Sequence, residues 1–267
     1  MRSLVFGMLM LVALAGQGLI LPQPAHAQTE VDLELILLAD ATGSIDDDEI
    51  RFQRLGYAEA IVDPSVLSAI TGNMIGRIAV AYAEWAGPGS QDMVVDWTII
   101  DSAESAASFA AALTEGRPRK AYGRNAIGSA LLYGKAQLET NAFTGMRRVI
   151  DLSADSAGNW GGPAITVARD EVVKAGIIIN GLAVLCRSCS GRPSSYDLEA
   201  AFGEMIIGGP GSFVVSAENA ESFAAAVRRK LILEIAGDVP AGRLARITGP
   251  ARAAGLVIQN QQQGAIR

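Results

Sequence analysis

The chain has 267 residues, half of them hydrophobic and 19% charged, and its 22 Lys and Arg against 28 Asp and Glu give a formal charge of −6. That acidic balance argues against nucleic acid as a partner. Its single histidine, His26, lies in a segment expected to be removed, which excludes imidazole triads, Cys-His pairs, His general bases and His-ligated zinc from the mature chain.

Residues 1–27 combine Arg2, a long apolar run, Pro22 and Pro24, and the small residues Ala25 and Ala27, the pattern of a secretory signal peptide cleaved after Ala27. The run is about long enough to stay as a membrane anchor, but the prolines break it before a soluble domain. A periplasmic or secreted protein with one domain over 28–236 is the expectation.

From Leu33, "LELILLA" reads as a near-continuous buried strand that stops on Asp40, Thr42 and Ser44. A helix is expected over Ile45–Val62, with an acidic first turn and Pro64 ending it. "RIAVAYAEWAG" and "MVVDWTII" are separated only by "PGSQD", so Arg77–Ile100 must form a hairpin. Helices follow at Ala103–Leu113 and Ala126–Glu139, then the strand "RRVIDLSAD" (Arg147–Asp155). A helix over Ala164–Ala175, the strand Ile177–Leu185, an edge strand "SFVVS" and a helix over Ala217–Glu234 complete the set. Residues 237–267 show no sustained period and read as a mostly disordered tail. Alternating strands and helices predict an α/β fold with a mainly parallel sheet covered on both faces and one antiparallel hairpin strand at an edge.

Ligands of open parallel sheets gather at the carboxyl ends of the strands, where Asp40 and Asp155 both fall. Asp40, Thr42 and Ser44, at alternate positions around Gly43, can aim oxygens at one point, the kind of ligand set a hard cation takes. Taken alone, Ser44 reads instead as a helix N-cap with Asp47 reciprocating. Asp46, Asp47, Asp48 and Glu49 read as surface residues favoured by the helix dipole.

"DATGS" (Asp40–Ser44) resembles the Asp-x-Ser-x-Ser signature of von Willebrand factor A domains, and the order of elements, hairpin included, is similar to theirs over about Asp32–Ala236. "EWAG", "RRVIDLSAD", "INGLAVLCRSCSGRPSSYDLEAAF" and "IIGGPGSFVV" are similar to a bacterial family of secreted proteins with this fold and no assigned function. The resemblance implies a doubly wound, three-layer α/β/α domain. It also implies a metal-ion-dependent adhesion site, in which a second loop gives a Thr, a third an Asp, and a partner's carboxylate completes the cation's shell. Asp155 matches the third-loop Asp, whereas Asn125 stands where Thr is expected, with Arg124 beside it. The ligand set implied is Asp40, Thr42, Ser44, Asn125 and Asp155, for Mg²⁺ first and Ca²⁺ or Mn²⁺ as alternatives.

Cys186 and Cys189 most simply form one disulfide in an exported protein; a thiol redox site is the sharper alternative. Trp85 and Trp97 read as core, and Trp160, flanked by glycines near Asp155, as an exposed partner-binding residue together with Arg124. The glycine-rich runs "GNWGGP" and "IIGGPGS" match no phosphate-binding pattern and read as turns. Arg77, Arg117, Arg119, Lys120 and Arg124 are candidates to gather near the site, although scattered basic residues are usually solvated surface. The resulting expectation is a non-enzymatic module that binds a protein partner through a cation. The alternatives are metal-assisted hydrolysis, thiol redox chemistry at Cys186 and Cys189, or a scaffold with a degenerate site.

Overall fold

The computed structural model describes residues 28–185, 197–218, 220–237 and 257–258. The signal segment, Cys186, Cys189 and all but two residues of the predicted tail beyond Gly237 lie outside the described residues. The strands are β1 (Thr29–Asp40), β2 (Ile78–Trp85), β3 (Gln91–Ile100), β4 (Phe143–Ala154), β5 (Ile178–Val184), β6 (Phe213–Ala217) and the two-residue β7 (Val257–Ile258). They form one sheet in the order β3-β2-β1-β4-β5-β6-β7, parallel except for β3 against β2 and β7 against β6. The hairpin expected over Arg77–Ile100 is β2–β3, and "SFVVS" is edge-like but bordered by β7.

β1 is central and buried on both faces, so it reads as an apolar run rather than an alternation. Leu33, Leu35, Leu37 and Ala39 enter one core, while Ile36 and Leu38 enter the other, as the two-residue period of a strand requires. The first core packs under α1 (Asp47–Ile61), α2 (Pro64–Thr71), α3 (Ala103–Thr114) and α7 (Ala220–Ala236). The second packs under α4 (Ile127–Thr140), α5 (Ile165–Lys174), the short α6 (Leu198–Ala201) and a π-helical turn, Phe202–Ile206. Three layers result. The chain leaves β1 towards β2 on one side and returns to β4 on the other, which puts the reversal of strand order at the carboxyl ends of β1 and β4.

Two local expectations are corrected. The cap of α1 is Asp46, not Ser44: its carboxylate accepts the N–H groups of Asp48 (2.9 Å) and Glu49 (2.8 Å), and Glu49 reaches back to the Asp46 N–H (3.0 Å). Pro64 does not simply end a helix; α1 has already stopped at Ile61, and Pro64 opens α2 behind the Asp63 cap, where its missing N–H costs nothing.

Candidate metal centre

The loop leaving β1 is folded by its own polar groups and fixed from below. The Thr42 N–H donates to Asp40 Oδ1 (2.8 Å), and the Thr42 and Ser44 hydroxyl oxygens are 3.2 Å apart. Gln53 of α1 donates to the Asp40 carbonyl (3.1 Å), and Ala41, Ile45, Ile50, Ala86 and Ala121 form a small apolar cluster beneath the loop. Asp40 and Thr42 are thereby buried, with Ser44 at the surface.

Main-chain contacts join this loop to the other two. The Gly43 N–H donates to the Gly123 carbonyl (2.9 Å), which ties the β1 loop to the segment carrying Asn125. Gly123 has φ +131°, and a Cβ there would lie 2.9 Å from Gly87 Cα, so only glycine allows the backbones this close. The Trp160 N–H donates to the Asn125 carbonyl (2.7 Å), and the Gly128 N–H to Asn159 Oδ1 (3.2 Å), which ties that segment to the loop after β4. Gly128 meets this loop directly, because a Cβ would fall 2.2 Å from the Pro163 oxygen. Gly128→Ala is therefore expected to cost about 1–3 kcal/mol by overpacking, measured as a lower urea midpoint with an unchanged m-value.

Electrostatics mark Asp40 and Asp155 as a pair. Burial, then the charge of Asp155, pushes the Asp40 carboxyl up to about 7, with Thr42 and the Asp155 backbone N–H opposing. Burial also raises Asp155, and the Ser44 hydroxyl opposes that rise by hydrogen bonding to its carboxyl. Asp40 Oδ2 and Asp155 Oδ1 are both buried without a hydrogen-bond partner, an expensive state for a carboxylate oxygen. Sequence reasoning took Glu49 for plain surface, yet it is also raised, by burial first and then by Asp46 and Asp155, and its Oε1 is buried and unpartnered. Its place at the third position of a helix that starts beside the β1 loop was the available signal.

The structure thus brings Asp40, Thr42, Ser44 and Asp155 into one contact chain. Asn125 joins through its backbone, and its side-chain Nδ2 is buried without a partner. Among the described residues no three His, Cys, Asp or Glu side chains cluster as a metal cage, so any cation here would rely on two carboxylates, hydroxyls, an amide and water. That donor set fits Mg²⁺ or Ca²⁺, both hard oxygen-seeking ions.

At the rim Trp160 is 65% exposed, and the Arg124 guanidinium sits 4.0 Å from its ring centroid. Arg119 stacks on Tyr122 (5.0 Å) and donates to the Ile45 carbonyl (2.6 Å). Arg77 lies at the opposite end of the strands on the Glu30 carbonyl, and Arg117 turns to Asp92 of β3. Trp85 is core as expected, while Trp97 is only half-buried.

In fold, the chain is similar to solved von Willebrand factor A domains. It aligns with the pilus adhesin SpaC of Lactobacillus rhamnosus GG at a TM-score of 0.54 and 12% identity, over 77% of this chain but only 30% of the adhesin. Against a von Willebrand factor type A protein from Catenulispora acidiphila the TM-score is 0.52 at 14% identity, covering 79% of this chain and 44% of that one. The vWF domain of the type V pili tip protein Mfa5 from Porphyromonas gingivalis gives 0.52 at 9% identity, over 79% and 98%. No curated protein matches the sequence. These likenesses, on a three-layer sheet with its switch point at Asp40 and Asp155, establish a von Willebrand factor A-like fold, and residues 30–239 match the family described as "Protein of unknown function (DUF1194)", to which the chain belongs.

Proposed function

We propose that this is an exported protein-binding module whose binding face is the rim at the carboxyl ends of β1 and β4, built around a divalent cation held by Asp40, Thr42, Ser44, Asn125 and Asp155. The observation that carries the reading is the pair of buried carboxylate oxygens, Asp40 Oδ2 and Asp155 Oδ1, left without hydrogen-bond partners, with the charge of Asp155 adding to the cost of ionising Asp40. When bound, such a cation supplies a positive centre whose shell a partner's carboxylate can complete. Thr42 and Ser44 hold the loop so that Asp40 stays aimed inward, and a half-turn of the Asn125 amide puts an oxygen where its partnerless nitrogen lies. Trp160, stacked on Arg124, supplies rigid contact area beside the cation.

Mg²⁺, Ca²⁺ or Mn²⁺ at about one hundred times its dissociation constant is expected to stabilise the protein by about 2.7 kcal/mol. Thermal unfolding with each ion, and with chelator, reads this. No shift with any of the three would overturn the cation. Trp160→Ala is expected to keep the cation response while capture of a chelator-released partner from periplasmic extract falls at least about thirtyfold, the loss of a binding hot spot. Capture that is indifferent to both chelator and Trp160→Ala would remove the rim as the binding face.

A further inference from the structure

Beneath α7, well inside the first core, four polar side chains meet. Lys230 of α7 is 0% exposed, Asp151 of β4 and Glu234 of α7 are each 1% exposed, and Asn180 of β5 is 2% exposed. Lys230 Nζ lies 2.7 Å from Asp151 Oδ1 and 2.5 Å from Glu234 Oε1. Asn180 Nδ2 donates to Glu234 Oε1 (3.1 Å), its own Oδ1 accepts the Phe213 N–H (3.2 Å), and the Phe213 ring centroid is 5.6 Å from Nζ.

One ammonium between two carboxylates would leave a net negative charge in the core, which is costly. A proton on one carboxyl group removes it. Burial, then Asp151, pushes Glu234 up to about 7 against the pull of Lys230 and Asn180, and burial raises Asp151 as well. The ion pair is also poorly made: despite the 2.7 Å approach, both Asp151 oxygens lack an aligned hydrogen bond, as does Glu234 Oε2. The Lys230 nitrogen is thus in contact with an oxygen of one carboxyl group, a second carboxyl able to carry a proton touches the same nitrogen, and all of these side chains are buried from water. Proximity, a proton carrier and exclusion of water are what condensation of an acid with an amine requires.

We propose that Lys230 and Asp151 are a modification site that closes into an intramolecular amide, Nζ to Cγ, with Glu234 as the proton carrier. The ammonium first gives one proton to the Asp151 carboxylate, leaving neutral amine and neutral acid. Nζ then attacks Cγ and the C–N bond forms; the protonated Glu234 gives its proton to the departing hydroxyl as the C–O bond breaks, and then takes the second proton from nitrogen. Ammonium plus carboxylate become one amide and one water, with no oxidant or activating group, and Glu234 returns to its starting state. The bond would tie the last helix of the domain to a strand beside its centre.

The test uses the full chain, reduced, by intact mass spectrometry and tryptic mapping. Wild type is expected one water lighter than its sequence, with a branched peptide joining residues 149–169 to 230–243, because trypsin does not cut after an acylated lysine. A full-weight chain cut after Lys230 overturns the bond. Glu234→Gln, which keeps the shape but cannot carry the proton, is expected to yield separate peptides and full mass from protein that still unfolds cooperatively. A bond formed as completely in Glu234→Gln as in wild type overturns the role of Glu234.

Discussion

Arg54→Met is expected to lower the unfolding free energy by about 3–5 kcal/mol, because it leaves a buried carboxylate without its counter-ion. Arg54 and Glu84 are 3% and 0% exposed and meet fork to fork, Nε to Oε1 at 2.7 Å and Nη2 to Oε2 at 2.9 Å. In a domain of this size that is a fall of about 6–20 °C in melting temperature. Exposed pairs such as Arg51–Asp48 should contribute no more than about 1 kcal/mol. The loss should also reach the candidate site. Arg54 Nη1 donates to the Arg117 carbonyl, and Arg117 in turn holds the Met93 and Val94 carbonyls (2.9 and 3.1 Å), so the segment running into Gly123 and Asn125 hangs on this pair. Arg54→Met with Glu84→Leu is expected to recover most of the stability, since an apolar pair removes the orphaned charge. Denaturant titration of the three variants measures it, and a single-mutant loss below about 1 kcal/mol would class the pair with the surface bridges.

What could be read from the sequence, and what could not, divides along the range of the interactions involved. Buried parallel strands announce themselves as apolar runs, so the alternation of elements and the hairpin were legible, and so was the fact that Asp40 and Asp155 each follow a strand. Boundaries slipped where polar residues continue a strand: β1 begins at Thr29 rather than Leu33 because Asp32 and Glu34 are satisfied inside the fold, Asp32 by the N–H groups of Ile75 and Gly76 and Glu34 by Asn141 and Gly145. Helix α7 starts at Ala220 rather than Ala217, which closes β6, and α6 with its π-helical turn went unseen because four or five residues hold no period.

Within the site, adjacent Asp, Thr and Ser residues compete for the same cap, and local rules cannot choose among them. The choice is made at long range. Gly43 bonds to Gly123 and the Ser44 hydroxyl lies 3.2 Å from that of Thr42, which leaves Asp46 to cap α1. Lys230 was illegible for a similar reason. In "VRRKLILEIA" a lysine reads as solvated helix surface, and only the arrival of Asp151 from a distant strand makes its burial tolerable.

Asp40→Asn is expected to abolish the cation response and, in the same protein, to raise the stability of the metal-free form. The two effects have one cause. Asp40 is buried, and its charge is opposed first by that burial and then by Asp155, which together push its carboxyl up to about 7. A neutral amide of the same shape removes the opposed charge while its oxygen still accepts the Thr42 N–H that Asp40 Oδ1 accepts at 2.8 Å. Since a tenfold change in a protonation equilibrium corresponds to about 1.4 kcal/mol, the gain without metal should be on the order of 1–3 kcal/mol. With cation present the order reverses: wild type gains the binding free energy and the variant does not. A group that served only as part of the β1 loop's scaffold would behave otherwise, with Asp40→Asn destabilising at every cation concentration. Melting curves of wild type and variant in chelator and in saturating Mg²⁺ therefore decide between a ligand and a structural carboxylate, and curves that do not cross would sink the ligand role.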